Sequence, residues 1–569
     1  MEVLQPAQRA YLQKDLRIDT WADVEPCFSE LQDRPFLSLQ DLEQWLRDLS
    51  ELEAALGEEG AWRYIRMSLD TRDEAVTQRF QEFVTTIQPE AEKRADALNR
   101  KLMDSPWANE LNGDGHSVYL RGIREQLRIY REANVQLLAE LRTEAQQYAA
   151  ITGAMNVEWK GETITLPKAA ALLESPDREE RKAVWRKIND RRAHDRAKLD
   201  DLFDGLVQKR NTVAAQAGFS DFRDYMYSAL GRFDHKPSDA FAFHDAVARS
   251  VVPVVEALEL GRRKTLCVDR LRPWDLSVDT SNKPPLKPFE KAEQLSDLAI
   301  EVFSKLHPYF ADCLRTMRNK GLLDLASREG KAPGGYNYPL YETGAPFIFM
   351  NAVGTHDDLI TMVHEGGHAV HSFLTQPLVL TGFKNFPSEV AELASMSMEL
   401  LTMDHWHLIY RDPEELRRAK RDHLERVIGI LPWVATVDAF QHWIYEHPRH
   451  TRQQRDAAWL DIHKRFSGKV TDWSGYGEQR AMLWQKQLHI FEVPFYYIEY
   501  GIAQLGAIGV WRNYKQNPVQ AVEQYMNALK LGYTKPLPEI YAAAGVRFDL
   551  GADNVRGLIA FVREELEKL

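Results

Sequence analysis

The run HEGGHAVH, His364 to His371, constrains the fold more than any other stretch of the chain. It lies in a segment with helical spacing, yet two adjacent glycines interrupt it, and each costs about 1 kcal/mol relative to alanine in a helix interior. A purely structural helix would avoid the pair. Something local must offset the cost, either a neighbour that approaches too closely for a side chain or a ligand that needs the space. Thr355 stands at the N-cap with Asp358 at the reciprocal capping-box position, and Pro377 limits the helix, so the histidines fall mid-helix on rigid backbone. At about 100° per residue, His364 and His368 lie about 40° apart on one face, and two imidazoles can reach one ion. Glu365 is offset from both and close enough to reach a water on that ion. Gly367 is expected to leave room beside the metal, and Gly366, on the far side, to admit another element.

This is the HExxH spacing of zinc-dependent hydrolases, in which the ion lowers the pKa of its water and the glutamate takes the proton. A third protein ligand is required. His371 shares the helical face and is one candidate. The elongated metzincin pattern would put a histidine where this chain has Leu374, which excludes that class. The next segment, FPSEVAELASMSMELLTM, sets Glu389, Glu392, Met396, Glu399 and Met403 on one stripe at spacings of three and four. Carboxylates turned inward among apolar neighbours need a partner, and zinc is a good one, which makes Glu392 a second candidate.

With 569 residues the chain can bury a substantial core without disulfides or a structural metal, so a bound metal would be functional. Cys27, Cys267 and Cys313 are widely spaced and form no CxxC pair, which fits a reducing compartment and neither a disulfide framework nor a thiolate zinc knuckle. The first twenty residues carry scattered charges and no apolar core, and no 18 consecutive residues are apolar. A soluble, cytoplasmic protein without a membrane partner is expected. The 72 basic and 84 acidic residues give a formal net charge of -12, which disfavours nucleic acid. The most basic stretch, Asp177 to Lys198, is interleaved with acids and reads as a solvated helix face with Val184, Trp185 and Ile188 turned inward.

Up to about residue 150 the spacing is helical. NVEWKGETITL then predicts a hairpin turning at Lys160-Gly161, and Ser175-Pro176 reads as an N-cap followed by proline at the first helical position. Val268 to Pro288 and Gly330 to Pro339 are richest in turn formers and read as long loops. PFIFMNAV is the most strand-like run, and helical spacing resumes at Thr355. The fold class is mainly α with a small sheet beside the histidine motif.

HEGGHAVH, followed by EVAELASMSME and later by HIFEVPFYYIEYGIAQLGA, resembles the thimet oligopeptidase and oligoendopeptidase F family of zinc metallopeptidases, most closely its Pz-peptidase-like bacterial branch. The resemblance is specific over about residues 330 to 510. It reaches loosely to LRPWDL and ITLPKAAALLES, with none visible in the first 150 residues. It implies a zincin-like fold of two helical lobes enclosing a deep channel, here 1–235 as an N-terminal lobe and 236–569 as the catalytic region. It also implies one zinc ion per chain, held by His364, His368 and Glu392, with Glu365 as the base and Glu399 as acceptor for a ligand histidine. His489 and tyrosines would meet the substrate carbonyl and its developing oxyanion. Tyr497 and Tyr500 match one branch of the family, Tyr496 and Tyr500 the other, with Pro494 expected at the start of their helix. PFIFMN resembles the edge strand on which the family lays its peptide.

The reading is a zinc-dependent endopeptidase of short peptides. A catalytically inactive helical peptide-binding protein of the same fold is the alternative, but its signature, a damaged Glu365 or ligand, is not seen. A di-iron carboxylate protein would need the Glu-x-x-His of Glu365 and His368 twice, and it occurs once.

Overall fold

A computed structural model describes every residue except 1, 2, 5 and 282. The chain is mostly helical, with two small sheets. It forms two compact units, each assembled from three stretches: 1–128, 286–419 and 506–548 in the first, and 129–285, 420–505 and 549–569 in the second. The division expected at 235/236 runs through the second unit, because contacts between distant stretches of chain, not sequence order, close each core.

In the first unit the 31-residue helix Leu39–Leu69 is capped by Ser38, whose hydroxyl accepts from the Asp41 amide. Leu42, Trp45, Leu46, Leu49 and Leu52 recur at three and four and bury one face in a core that takes in Phe28, Leu98 and Phe383. The same unit holds a three-stranded sheet. Strand β3 (Leu323–Ala326) runs parallel to β5 (Phe347–Ala352), and β4 (Tyr336–Tyr338) pairs with β5 antiparallel.

The order β3-β5-β4 makes the PFIFMN strand central, correcting its expected edge position. Its four consecutive buried residues, Phe347 to Met350, are what burial on both faces requires. The edges are β3 and β4, and β4 lies inside the segment expected to be loop. Three residues flanked by glycine and proline are too few to show a period. Besides its backbone pairing with β5, β4 is held by ring stacking of Tyr336 on Phe349, with centroids 4.7 Å apart and planes 3° from parallel.

The motif helix, His356–Thr375, begins with the Thr355–Asp358 capping box and ends before Pro377. The glutamate helix, Ser388–Met403, packs along it. A Cβ on Gly366 would sit 2.7 Å from the Phe303 ring, so Gly366 admits a neighbour as expected. A Cβ on Gly367 would lie 2.7 Å from Ser395 Cα and 2.9 Å from the Ala394 carbonyl oxygen. Gly367 therefore does not leave space beside a metal. It removes the one side chain that would hold the two helices apart.

In the second unit the hairpin of β1 (Asn156–Trp159) and β2 (Glu162–Thr165) turns through Lys160 and Gly161, both at positive φ. The 39-residue helix Arg178–Gln216 starts later than Ser175-Pro176 suggested: Asp177 accepts from the amides of Glu179 and Glu180 and is the cap, while Ser175 accepts from the Asp177 amide. Several of its basic residues are paired to acids, as Arg181 is to the fully buried Asp275 at 2.9 Å, and Val184, Trp185 and Ile188 are buried. Val268 to Pro288 is loop around the short turn Pro273–Asp275, with Asn282 outside the described residues. One described helix, Pro413–Glu446, is long and apolar enough to cross a membrane by length and composition, and 72% of its most apolar window is buried inside the fold, as in a core helix.

Alanine at Gly367 must push backbone against backbone, so Gly367→Ala should destabilise by about 1–3 kcal/mol in a denaturant titration. Gly429, in the long helix and with nothing near its missing Cβ, is the control. Gly429→Ala should stabilise by about 0.5–1 kcal/mol. Equal effects of the two substitutions would refute the close-approach account.

Candidate metal centre

One turn of the motif helix brings the His364 and His368 rings to 4.9 Å between centroids, and the glutamate helix presents Glu392 to both. Glu392 Oε2 lies 3.4 Å from His364 Nε2 and 3.9 Å from His368 Nε2, and one donor atom from each of the three residues falls within 4.8 Å of the others. Tetrahedral zinc with bonds of about 2.0–2.1 Å separates its ligand atoms by about 3.4 Å, so the donor set fits such an ion. Among the described residues this is the one group of His, Cys, Asp and Glu so arranged.

The surrounding bonds prepare those donors. His364 Nδ1 lies 2.6 Å from Glu399 Oε1, so that carboxylate fixes the ring while Nε2 faces Glu392 Oε2. Ser395 Oγ donates to Glu392 Oε2 at 3.2 Å. Tyr525 and Tyr541 donate to the Ala394 and Glu389 carbonyls at 2.8 and 2.9 Å, fixing the glutamate helix from a third stretch of the same unit.

Glu365 and Glu392 are both buried, yet their carboxyls are driven apart. Burial pushes Glu365 up to about 7, with Glu392 and Glu399 adding to the rise. Burial would raise Glu392 too, but the hydrogen bond from His364 and the nearby His368 outweigh it and hold it down at about 2. Two carboxyls in one pocket are thus shifted in opposite directions, Glu365 up and Glu392 down. The Asn337 amide of β4 donates to the Glu365 carbonyl at 3.3 Å, tying the sheet edge to this turn of helix.

His371 is not with the group. Its ring is fully buried and stacks on Phe386 at 3.6 Å between centroids, and burial, aided by His368, drives its pKa down to about 3.

The remaining sequence candidates lie in the second unit. His489 is ringed by Tyr497 at 4.8 Å, Tyr500 at 5.7 Å and Tyr496 at 5.9 Å between centroids. Pro494 opens a turn, and the helix Ile498–Gln516 starts four residues later than expected from Pro494. Tyr497 is buried, which pushes its hydroxyl up to about 12, whereas Tyr496 and Tyr500 keep partial exposure. Sequence reading missed two residues here. Gln487 Nε2 lies 2.6 Å from His489 Nδ1, and Gln487 Oε1 accepts from Trp433 Nε1 at 2.9 Å. Since the indole is donor only, the Gln487 oxygen must face it and the amide must donate to Nδ1, leaving the His489 proton on Nε2. Trp433 is distant in sequence, and no spacing announces it.

The profile of the peptidase M3 N-terminal domain matches residues 16–130, where sequence reading saw no resemblance. The chain is 23% identical to oligopeptidase PepF of Bacillus subtilis (strain 168), over 66% of this chain and 55% of PepF. With group B oligopeptidase PepB of Streptococcus agalactiae it shares 22%, over 72% and 67% of the two chains. It thus spans about half to two thirds of these curated relatives. Over nearly full length its fold matches solved structures of Pz peptidase A with an inhibitor (TM-score 0.88, 26% identity, 96% of each chain) and of a putative oligoendopeptidase F (0.89, 26%, 98% of each). The profile of peptidase family M3 matches residues 171–557, well over half of the sequence, and the chain belongs to that family.

Proposed function

We propose that this chain is a zinc-dependent endopeptidase of the oligopeptidase type, hydrolysing short peptides. The observation that carries the reading is the donor set of His364, His368 and Glu392 with the buried Glu365 next to His364 on the same helix. One zinc ion per chain, held by those three residues, would supply a Lewis acid that polarises the scissile carbonyl and acidifies a water. Glu365 takes the proton from the attacking water and passes it to the leaving amine, a task suited to a carboxyl titrating near neutrality. Glu399 keeps His364 in the tautomer that leaves Nε2 free to bind. His489 Nε2–H and a hydroxyl among Tyr496, Tyr497 and Tyr500 would be the donors for the oxyanion. The printed names of the relatives, oligopeptidases and oligoendopeptidases F, support the substrate class.

As an edge strand, β4 would offer backbone donors and acceptors to an extended peptide whatever its side chains, which suits an enzyme of broad specificity. Three unpaired cysteines and the net charge of -12 support a cytoplasmic location without nucleic-acid or membrane partners.

Metal analysis beside hydrolysis of a quenched-fluorescent peptide, with and without chelator, tests the whole reading: chelation should abolish cleavage and zinc restore it. Glu365→Gln should retain the metal and lose about 10²–10⁴-fold in kcat, since it removes a base and no ligand. Retention of most of the activity would remove Glu365 from that role. Glu392→Ala should lose its zinc on dialysis while His371→Ala keeps it, and the reverse pattern would sink the glutamate assignment. For Tyr500→Phe, kcat should fall by about 10–10²-fold with KM nearly constant, because the lost bond forms mainly in the transition state. An unchanged kcat would pass the role to Tyr496 or Tyr497.

A further inference from the structure

Among the described residues only three other than glycine have positive φ, and one is Phe495, at 65°. A bulky aromatic in that region is an outlier that persists only where its surroundings over-determine it, and such strain clusters at functional sites. Here the surroundings do so twice. The Phe495 amide donates to Gln441 Oε1 at 3.1 Å, and the Phe495 carbonyl accepts from the Arg232 guanidinium. Gln441 is fully buried, and the Arg232 side chain is nearly so. Arg232 is fixed in turn by Glu499 Oε1 at 3.0 Å, one residue before Tyr500. The Phe495 ring is clamped by His442 and Tyr445 at 5.3 and 5.5 Å between centroids. Both polar groups of one strained residue are thus held by two side chains from distant parts of the same unit, directly before Tyr496.

We propose that Gln441 and Arg232 are positioning residues for the His489–tyrosine cluster: by holding the left-handed turn at Phe495 they aim Tyr496 and Tyr500. The proposal rests on the reading that this cluster serves turnover. Without the two anchors Phe495 would relax to negative φ, a rotation of more than about 100°, which would swing the following peptide and its tyrosines out of register with His489. A turn that merely closed the core would not need a strained phenylalanine, since glycine adopts the same conformation freely.

Gln441→Met keeps the shape of the side chain and deletes the acceptor. The full-length, zinc-loaded variant should lose about tenfold in kcat with KM within about twofold and metal content unchanged. In a Tyr496→Phe/Tyr500→Phe background the same substitution should change kcat by less than about twofold, because the hydroxyls it positions are already gone. Arg232→Lys, which keeps the charge and loses the forked geometry, should behave alike and carries the test if Gln441→Met does not fold. An unchanged kcat in both variants, or the same fold-loss with and without the two tyrosine hydroxyls, would overturn the positioning role. If His489→Ala and Tyr500→Phe themselves leave kcat intact, the role of the cluster fails and the proposal with it. A loss in those two without a loss at Gln441 and Arg232 overturns the positioning alone.

Discussion

The candidate metal centre depends on one contact that involves no donor atom. The motif helix and the glutamate helix meet backbone to backbone at Gly367, against Ser395 Cα and the Ala394 carbonyl. A methyl group there would separate the helices, and Glu392 could not reach the imidazoles at the separations found, 3.4 and 3.9 Å. Everything else at the site elaborates this approach. The tyrosines that bind the Ala394 and Glu389 carbonyls keep the glutamate helix from rotating, and Glu399, two turns beyond Glu392, reaches back to orient His364. A helix cost of about 1 kcal/mol at Gly367 is offset by the burial and hydrogen bonding it admits.

Chain-local features were the legible ones. The capping box at Thr355 and Asp358, the hairpin at Lys160-Gly161 and the three- and four-residue spacings that set Glu392 and Glu399 on one stripe are short-range patterns with fixed geometry. Gly366 was readable as a point of close approach, whereas the reason for Gly367 was not, because a missing side chain looks the same whether it admits a helix or a ligand. The exchange of edge and centre between PFIFMN and β4 has a similar cause. An apolar run announces a strand but not its neighbours, and β4 is held by a stack on Phe349 that three residues cannot advertise. The unit boundaries were illegible because each unit is closed by segments hundreds of residues apart.

In the second unit the functional candidates were visible as residue types and their supports were not. His489 and the tyrosines stand out as a dense aromatic segment. Gln487 stands two residues away but has no distinguishing spacing, and Trp433, Gln441 and Arg232 are drawn from other stretches. Such supports are ordinary residue types whose significance lies in which atom they face, so a tautomer at His489 and a backbone angle at Phe495 emerge only once the chain is folded.

If a peptide adds to β4 as proposed, the shortness of that strand has a kinetic consequence. A strand of three residues offers an added peptide only a few backbone bonds, and each of those is worth about 0.5–1.5 kcal/mol net. A peptide cut while lying across so short a ladder yields two fragments that divide the bonds between them. Each fragment is then held more weakly than the uncut chain by a sizeable factor, because binding falls about tenfold for every 1.4 kcal/mol lost. A long edge would grip the fragments almost as well as the intact peptide and would clog with its own products. Three residues at the rim of the sheet favour clearance over grip.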